Sequence, residues 1–170
     1  MPKNIDNVRE ELLKEAKKQL IENGYSHTTI RSVARGCGIA IGTVYNYFPS
    51  KDMLIATFMM EDWNTAFSSV ERVEKTNKKE LMEGIYNAIL SFSAMYEGLF
   101  KDKEALKAFN SSLSEKHPIL VSQLCSQILP AVDEGENREF TSSFIAEAIL
   151  LWAMKGTDFE TLYQVIERLL

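Results

Sequence analysis

Apolar residues recur at three- and four-residue steps along most of this chain, and no useful stretch alternates with a period of two. That spacing puts side chains on one face of a helix, so the pattern predicts an all-α protein. Ile5, Val8, Leu12, Ala16 and Leu20 make the first such face, and Gly24 closes the helix as a left-handed residue. Thr28 or Thr29 caps a second helix, whose inner face is Ile30, Val33 and Ala34. Gly36 and Gly38 bracket Cys37 in a tight turn, where at least one of them takes a positive φ. A third helix spans about Ala40 to Phe48, with Val44, Tyr47 and Phe48 competing for a small core. Pro49 stops it, and Ser50 caps a long fourth helix of about Lys51 to Glu74.

The rest of the chain continues in the same period. A fifth helix runs from about Lys79 to Tyr96, with Gly98 as its end, and a sixth from about Lys101 to Leu113. Pro118 suits the first turn of a seventh helix, striped by Leu120, Leu124 and Ile128 and stopped at Pro130. A charged loop, VDEGENRE, leads into the strongly apolar helix Phe140 to Lys155, which Gly156 closes. Thr157 to Glu160 has capping-box spacing for a last helix with Leu162, Val165, Ile166 and Leu169 inward. The prediction is about nine helices. Residues 1–50 would form one module and 51–170 a second, with helix 51–74 connecting them.

Charge sharpens the division. The net charge of −5 argues at first against nucleic acid as a partner. Its distribution reverses that reading, because residues 1–55 carry eight Lys/Arg against six Asp/Glu, while residues 56–170 carry eleven against eighteen. No acidic residue lies between Glu22 and Asp52, whereas Arg31, Arg35 and Lys51 do. An acid-free stretch with spaced cations suits a phosphate backbone, since each phosphate neutralised releases counterions.

The same residues exclude most other chemistry. His27 and His117 are far apart and in no metal pattern, and Cys37 and Cys125 have neither ligand nor disulfide spacing. There is no phosphate-binding glycine loop and no nucleophile elbow, so no catalysis, metal or cofactor is expected. The first residues lack the apolar core of a signal peptide, and the run Ala148 to Met154 is too short to span a bilayer. No membrane partner and a reducing, cytoplasmic setting are therefore expected.

The stretch Thr28 to Asp52, TTIRSVARGCGIAIGTVYNYFPSKD, has the layout of a helix-turn-helix. Residues 5–60, and most densely IAIGTVYNYFPSKD, resemble the N-terminal domain of the tetracycline-repressor (TetR) family of transcription regulators. The resemblance implies that the third helix enters the major groove of double-stranded DNA. Ala40, Ile41, Gly42 and Thr43 would then sit nearest the base edges. Tyr45, Asn46 and Tyr47 would follow on the same helix, with the tyrosine hydroxyls able to reach phosphates. Lys51 and Thr29 would hold phosphates, and Arg31 a base or a phosphate. Two residues depart from the family's habit. Ala40 stands where a serine cap is common, and Ile41 where relatives are often polar or basic. A methyl-rich Ile41 would favour thymine contacts. The competing reading is a helical module that binds another protein through the same hairpin.

For the C-terminal module the resemblance implies a homodimer and a small-molecule effector, hence a repressor whose operator is nearly palindromic. Phe58, Trp63, Phe67, Tyr86, Phe92, Tyr96 and Phe109 are the candidate lining of a pocket for a small apolar effector. The helix Phe140 to Lys155 is apolar on too many faces for a monomer's surface. Phe144, Ile145, Ala148, Leu151 and Trp152, with Leu120, Leu124 and Ile128, are the expected dimer interface. Helix four would act as the lever between effector and DNA.

Overall fold

The computed structural model describes residues 7–170, with the side chains of residues 104 and 108–115 outside the description. Among the described residues there are nine α-helices and no strand: α1 Val8–Asn23, α2 Ile30–Cys37, α3 Ile41–Tyr47, α4 Lys51–Phe67, α5 Lys78–Met95, α6 Glu97–Lys101, α7 Lys103–Ile128, α8 Arg138–Met154 and α9 Phe159–Ile166. No helix among them is long and apolar enough to cross a membrane. Two short 3-10 turns, Val70–Arg72 and Leu129–Ala131, follow α4 and α7.

The chain divides into two compact units. One holds the chain through Asp62 together with Tyr96–Leu113, and the other holds Trp63–Met95 with Ser114–Leu170. The division therefore falls inside α4, between Asp62 and Trp63, and not at residue 50 as the sequence suggested.

In the first unit α1 packs on α2, and α2 on α3. Leu12, Ala16, Val33 and Val44 are completely or almost completely buried there, as are Leu54, Ile55 and Phe58 of α4. Ile5 lies outside the described residues. Gly24 takes a positive φ of 77° and returns its N–H to the Leu20 carbonyl, but its ψ of 174° is extended and not the left-handed helical value expected of it. Two ion pairs strap α1 to α4, Arg9–Glu61 at 3.0 Å and Lys17–Asp62 at 2.7 Å. The buried Tyr96 hydroxyl donates to the same Asp62 carboxylate, and its ring stacks on Phe58 at 6.2 Å.

The second unit is built on α5, which packs against both α8 and α9. Its core joins Trp63, Leu81, Ile85, Ile89, Leu124, Ile128, Ile145 and Ile149 with Leu162 and Ile166. The indole N–H of Trp63 donates to Gln123 at 2.7 Å. In the loop before α8, the Arg138 guanidinium donates to the carbonyls of Val132 and Leu129, each at 3.0 Å.

Four boundaries differ from the sequence expectation. Helix α4 ends at Phe67 because Ser68 and Ser69 turn their hydroxyls back onto the carbonyls of Thr65 and Ala66. Gly98 lies inside α6 and not at a helix end; the break comes at Tyr96 (φ −112°, ψ 21°), whose side chain is committed to Asp62. Pro118 starts no helix, since α7 runs through it from Lys103 to Ile128. Its exposed ring costs the helix one backbone hydrogen bond, and the turns on either side carry it past. The last helix is capped by Asp158, one residue later than the expected Thr157, with its carboxylate accepting from the Thr161 N–H at 3.0 Å.

The Tyr86 hydroxyl, buried in the second unit, donates to the Thr157 carbonyl at 2.8 Å. Tyr86→Phe should keep the packing and cost about 1 kcal/mol, the ordinary worth of such a bond. Urea unfolding of the two proteins checks it; equal midpoints would mean that the bond contributes nothing.

Candidate nucleic-acid interface

The start of α2 is built by reciprocal hydrogen bonds. Thr29 accepts from the Ser32 N–H at 3.0 Å, while Ser32 Oγ accepts from the Thr29 N–H at 2.9 Å. Ser32 Oγ also donates to Gln19 of α1 at 2.6 Å, and Gln19 donates to Glu15 at 2.7 Å. A Cβ on Gly36 would lie 2.2 Å from the Glu15 carboxylate oxygen, so glycine lets this side chain of α1 lie against α2. The first turn of α2, with Thr29 and Arg31 exposed on it, is thus held by α1. Between the open alternatives for the cap, Thr29 fills the position. Thr28 is buried, donating to the Gly24 carbonyl at 2.9 Å.

Gly38 is the residue that turns the chain, at φ 66°, and its N–H meets the carbonyls of Ala34 and Arg35. Helix α3 follows with Ala40 at its N-cap and no side chain capping it. That agrees with alanine's weakness at this position. Val44 is fully buried and Phe48 nearly so, whereas Thr43 and Tyr47 are half-buried. Ala40, Ile41, Gly42, Tyr45 and Asn46 remain exposed. Ser50 then accepts from the Met53 N–H at 3.1 Å and starts α4.

These three starts converge. A cleft of about 570 Å³ is lined by Thr29 and Arg31 of the α2 start, Ile41 and Tyr45 of α3, and Lys51 of α4, with Ile30, Pro49 and Ser50 between them. Five of the ten residues predicted for a nucleic-acid face meet in it; of the other five, Ala40 caps α3 and Gly42, Thr43, Asn46 and Tyr47 lie along it.

Lys51 is more constrained than its sequence position suggested. Its ammonium donates to the Tyr25 carbonyl at 2.9 Å and lies 3.4 Å from the centre of the Tyr25 ring. The Tyr25 hydroxyl donates in turn to Asp52 at 2.6 Å. Burial pulls the Lys51 pKa below its ordinary value, against the nearby Asp52 and Asp102 carboxylates, which act the other way. Burial also raises the Tyr25 pKa, helped by its hydrogen bond to Asp52, so the phenol stays protonated. The ammonium is thus held by the carbonyl and the ring together, at the wall of the cleft. Sequence reasoning missed Tyr25, Asp52, Pro49 and Ser50 as parts of the site. Only the Pro49-Ser50 pair left a signal, and it read as a helix boundary.

The aromatic residues assigned to a pocket divide between the units. Phe58 and Tyr96 stack in the first. In the second, Trp63 stacks on Phe67 at 4.3 Å and meets Phe92 edge-on at 5.2 Å, and Tyr86 is buried nearby. The Phe109 side chain lies outside the described residues. Among the described residues no three His, Cys, Asp or Glu side chains gather as a metal site.

The expected dimer residues also separate. Leu124, Ile128 and Ile145 have no exposed surface and serve the chain's own core, so they cannot meet a second copy. Phe144, Leu151 and Trp152 are about half exposed on α8 and, with the half-buried Ala148, line a shallow cleft of about 500 Å³. His117 and Glu147 pair at 3.2 Å beside it. Leu120 is half-buried against the core.

Residues 12–57 match the family model of bacterial regulatory proteins of the tetR family, a span that covers α2, α3, the whole cleft and the adjoining parts of α1 and α4. Over 153 residues the chain is 23% identical to the HTH-type transcriptional regulator UidR of Escherichia coli K12, covering 84% of this chain and 76% of UidR. Among solved structures, BioQ with its natural double-stranded DNA operator shares the fold at a TM-score of 0.61 and 14% identity, over 95% of this chain and 94% of that one. Thermus thermophilus FadR, a transcriptional repressor solved with lauroyl-CoA, matches at 0.60 and 18% identity, over 95% and 92%.

Proposed function

The chain belongs to the tetR family of bacterial regulatory proteins and is a DNA-binding regulator, and from that premise we propose that it represses transcription as a homodimer on a nearly palindromic operator. The observation that carries the reading is the single cleft onto which the starts of α2, α3 and α4 open. Helix α3 lies in the major groove. Thr29, Arg31, Tyr45 and Lys51 grip the phosphates beside it and set its register. Lys51, already anchored on Tyr25, gives up little side-chain freedom when it meets a phosphate.

The dimer forms through the exposed part of α8. Phe140, Phe144, Leu151, Trp152 and Met154 leave an apolar surface there that a monomer would have to keep in water. A two-fold axis between copies then sets two α3 helices about one DNA turn apart. A small apolar effector acting on the aromatic cluster of the second unit shifts the population between forms that fit the operator and forms that do not. The solved complex of FadR with lauroyl-CoA shows that the same fold can take a ligand with an apolar acyl chain.

Two variants test the reading. Lys51→Ala should weaken binding to all DNA sequences and lower the slope of log affinity against log salt by about one unit. Fluorescence anisotropy over a salt series measures both, and an unchanged slope removes Lys51 from the phosphate contacts. Replacing Leu151 and Trp152 with glutamate should abolish dimerisation in sedimentation and tight operator binding with it. A double variant that still sediments as a dimer would overturn this interface.

A further inference from the structure

The outward face of α3 carries no charge. Ile41, Gly42, Tyr45 and Asn46 are its exposed residues, at positions i, i+1, i+4 and i+5, and so cover one side of the helix. No Lys, Arg, His, Asp or Glu occurs anywhere from Gly36 to Ser50. The cations of the interface, Arg31 and Lys51, belong to α2 and α4.

Major-groove chemistry makes this distribution informative. Guanine shows two acceptors, N7 and O6, which an arginine or lysine matches best. Adenine shows N7 as acceptor and its N6 amino group as donor, which the amide of asparagine matches with two bonds. Thymine adds a methyl group that apolar side chains contact. Helix α3 offers an amide at Asn46 and a branched apolar side chain at Ile41, and no arginine or lysine for guanine's pair of acceptors.

Gly42 adds an independent observation. A glycine inside a helix costs about 1 kcal/mol relative to alanine, so it usually answers to a packing need. Here a Cβ would meet no described atom within 4 Å. The fold therefore does not demand the missing side chain. Its absence leaves the backbone between Ile41 and Asn46 open to close approach from outside.

We propose that the operator bases read by α3 are A·T pairs, with Asn46 bonded to an adenine edge and Ile41 packed on a thymine methyl. The proposal rests on the DNA-binding reading above and adds the class of sequence recognised. Tyr45, which lines the cleft with Lys51, contacts the backbone and contributes no base preference.

The full-length protein would be used to select from a pool of random duplex DNA, and each thymine of the selected site would then be replaced in turn by deoxyuridine. A·T pairs should fill the centre of each half-site. At one or two positions the lost methyl should weaken wild-type binding about fourfold, the worth of one buried methyl group. Ile41→Ala should lose that thymine-over-uracil preference, and Asn46→Ala should relax one adenine position by about tenfold. Both side chains are exposed, so both variants should fold, and circular dichroism checks that they do. Half-sites led by G·C pairs, a wild type indifferent to every uracil, or an Ile41→Ala variant that keeps the preference would each overturn the proposal. A pool with no enrichment would overturn the DNA-binding reading itself and this inference with it.

Discussion

A helix of seven residues does not hold together in water, because nucleation costs more than so few hydrogen bonds return. Helix α3 exists because Val44 and Phe48 are buried on one side of it, and because Gly38 and Pro49 fix the chain at either end. Everything at the interface depends on that burial. With its inner side committed, α3 can turn only one face outward, and that face consists of Ile41, Gly42, Tyr45 and Asn46. The neighbouring α2 is held by the Thr29–Ser32 box and by Gln19 of α1, so Arg31 is carried on a fixed first turn. In the proposed reading, base contacts thereby fall to a neutral helix, and the cations that meet phosphate stand on its flanks.

The second unit shows how a core uses up apolar surface. An apolar stripe in a sequence does not say which neighbour will cover it. Leu124, Ile128 and Ile145 are spent inside the chain, whereas Phe144, Leu151 and Trp152 on the same or adjoining helices stay exposed. The proposed dimer needs only the second set. The aromatic residues behave alike: Trp63, Phe67 and Phe92 are packed against one another, so an effector would have to displace ring–ring contacts to enter among them.

Much of this was legible in the sequence, and the exceptions have a common cause. Local signals held: the positive φ values of Gly24 and Gly38, the stop at Pro49 and the cap at Ser50 all follow from backbone sterics and short-range hydrogen bonds. The spacing of the two short helices and the turn also brings five of the candidate residues to one cleft. Signals that depend on distant partners failed. The break at Tyr96 follows its bond to Asp62, 34 residues away, and no pattern around Gly98 reveals it. The seat of Lys51 on Tyr25 spans 26 residues. Pro118 misled for another reason: a proline marks a cost within a helix, and a long helix can bear that cost without ending.

The most direct test of the central claim is selection of genomic fragments by the purified protein at moderate salt, read by sequencing. A dimer reading DNA through α3 should recover one family of fragments sharing a near-palindrome, with half-sites about one helical turn apart. Recovery of no sequence above background, or of single half-sites without a symmetric partner, would contradict a dimer that reads DNA through α3.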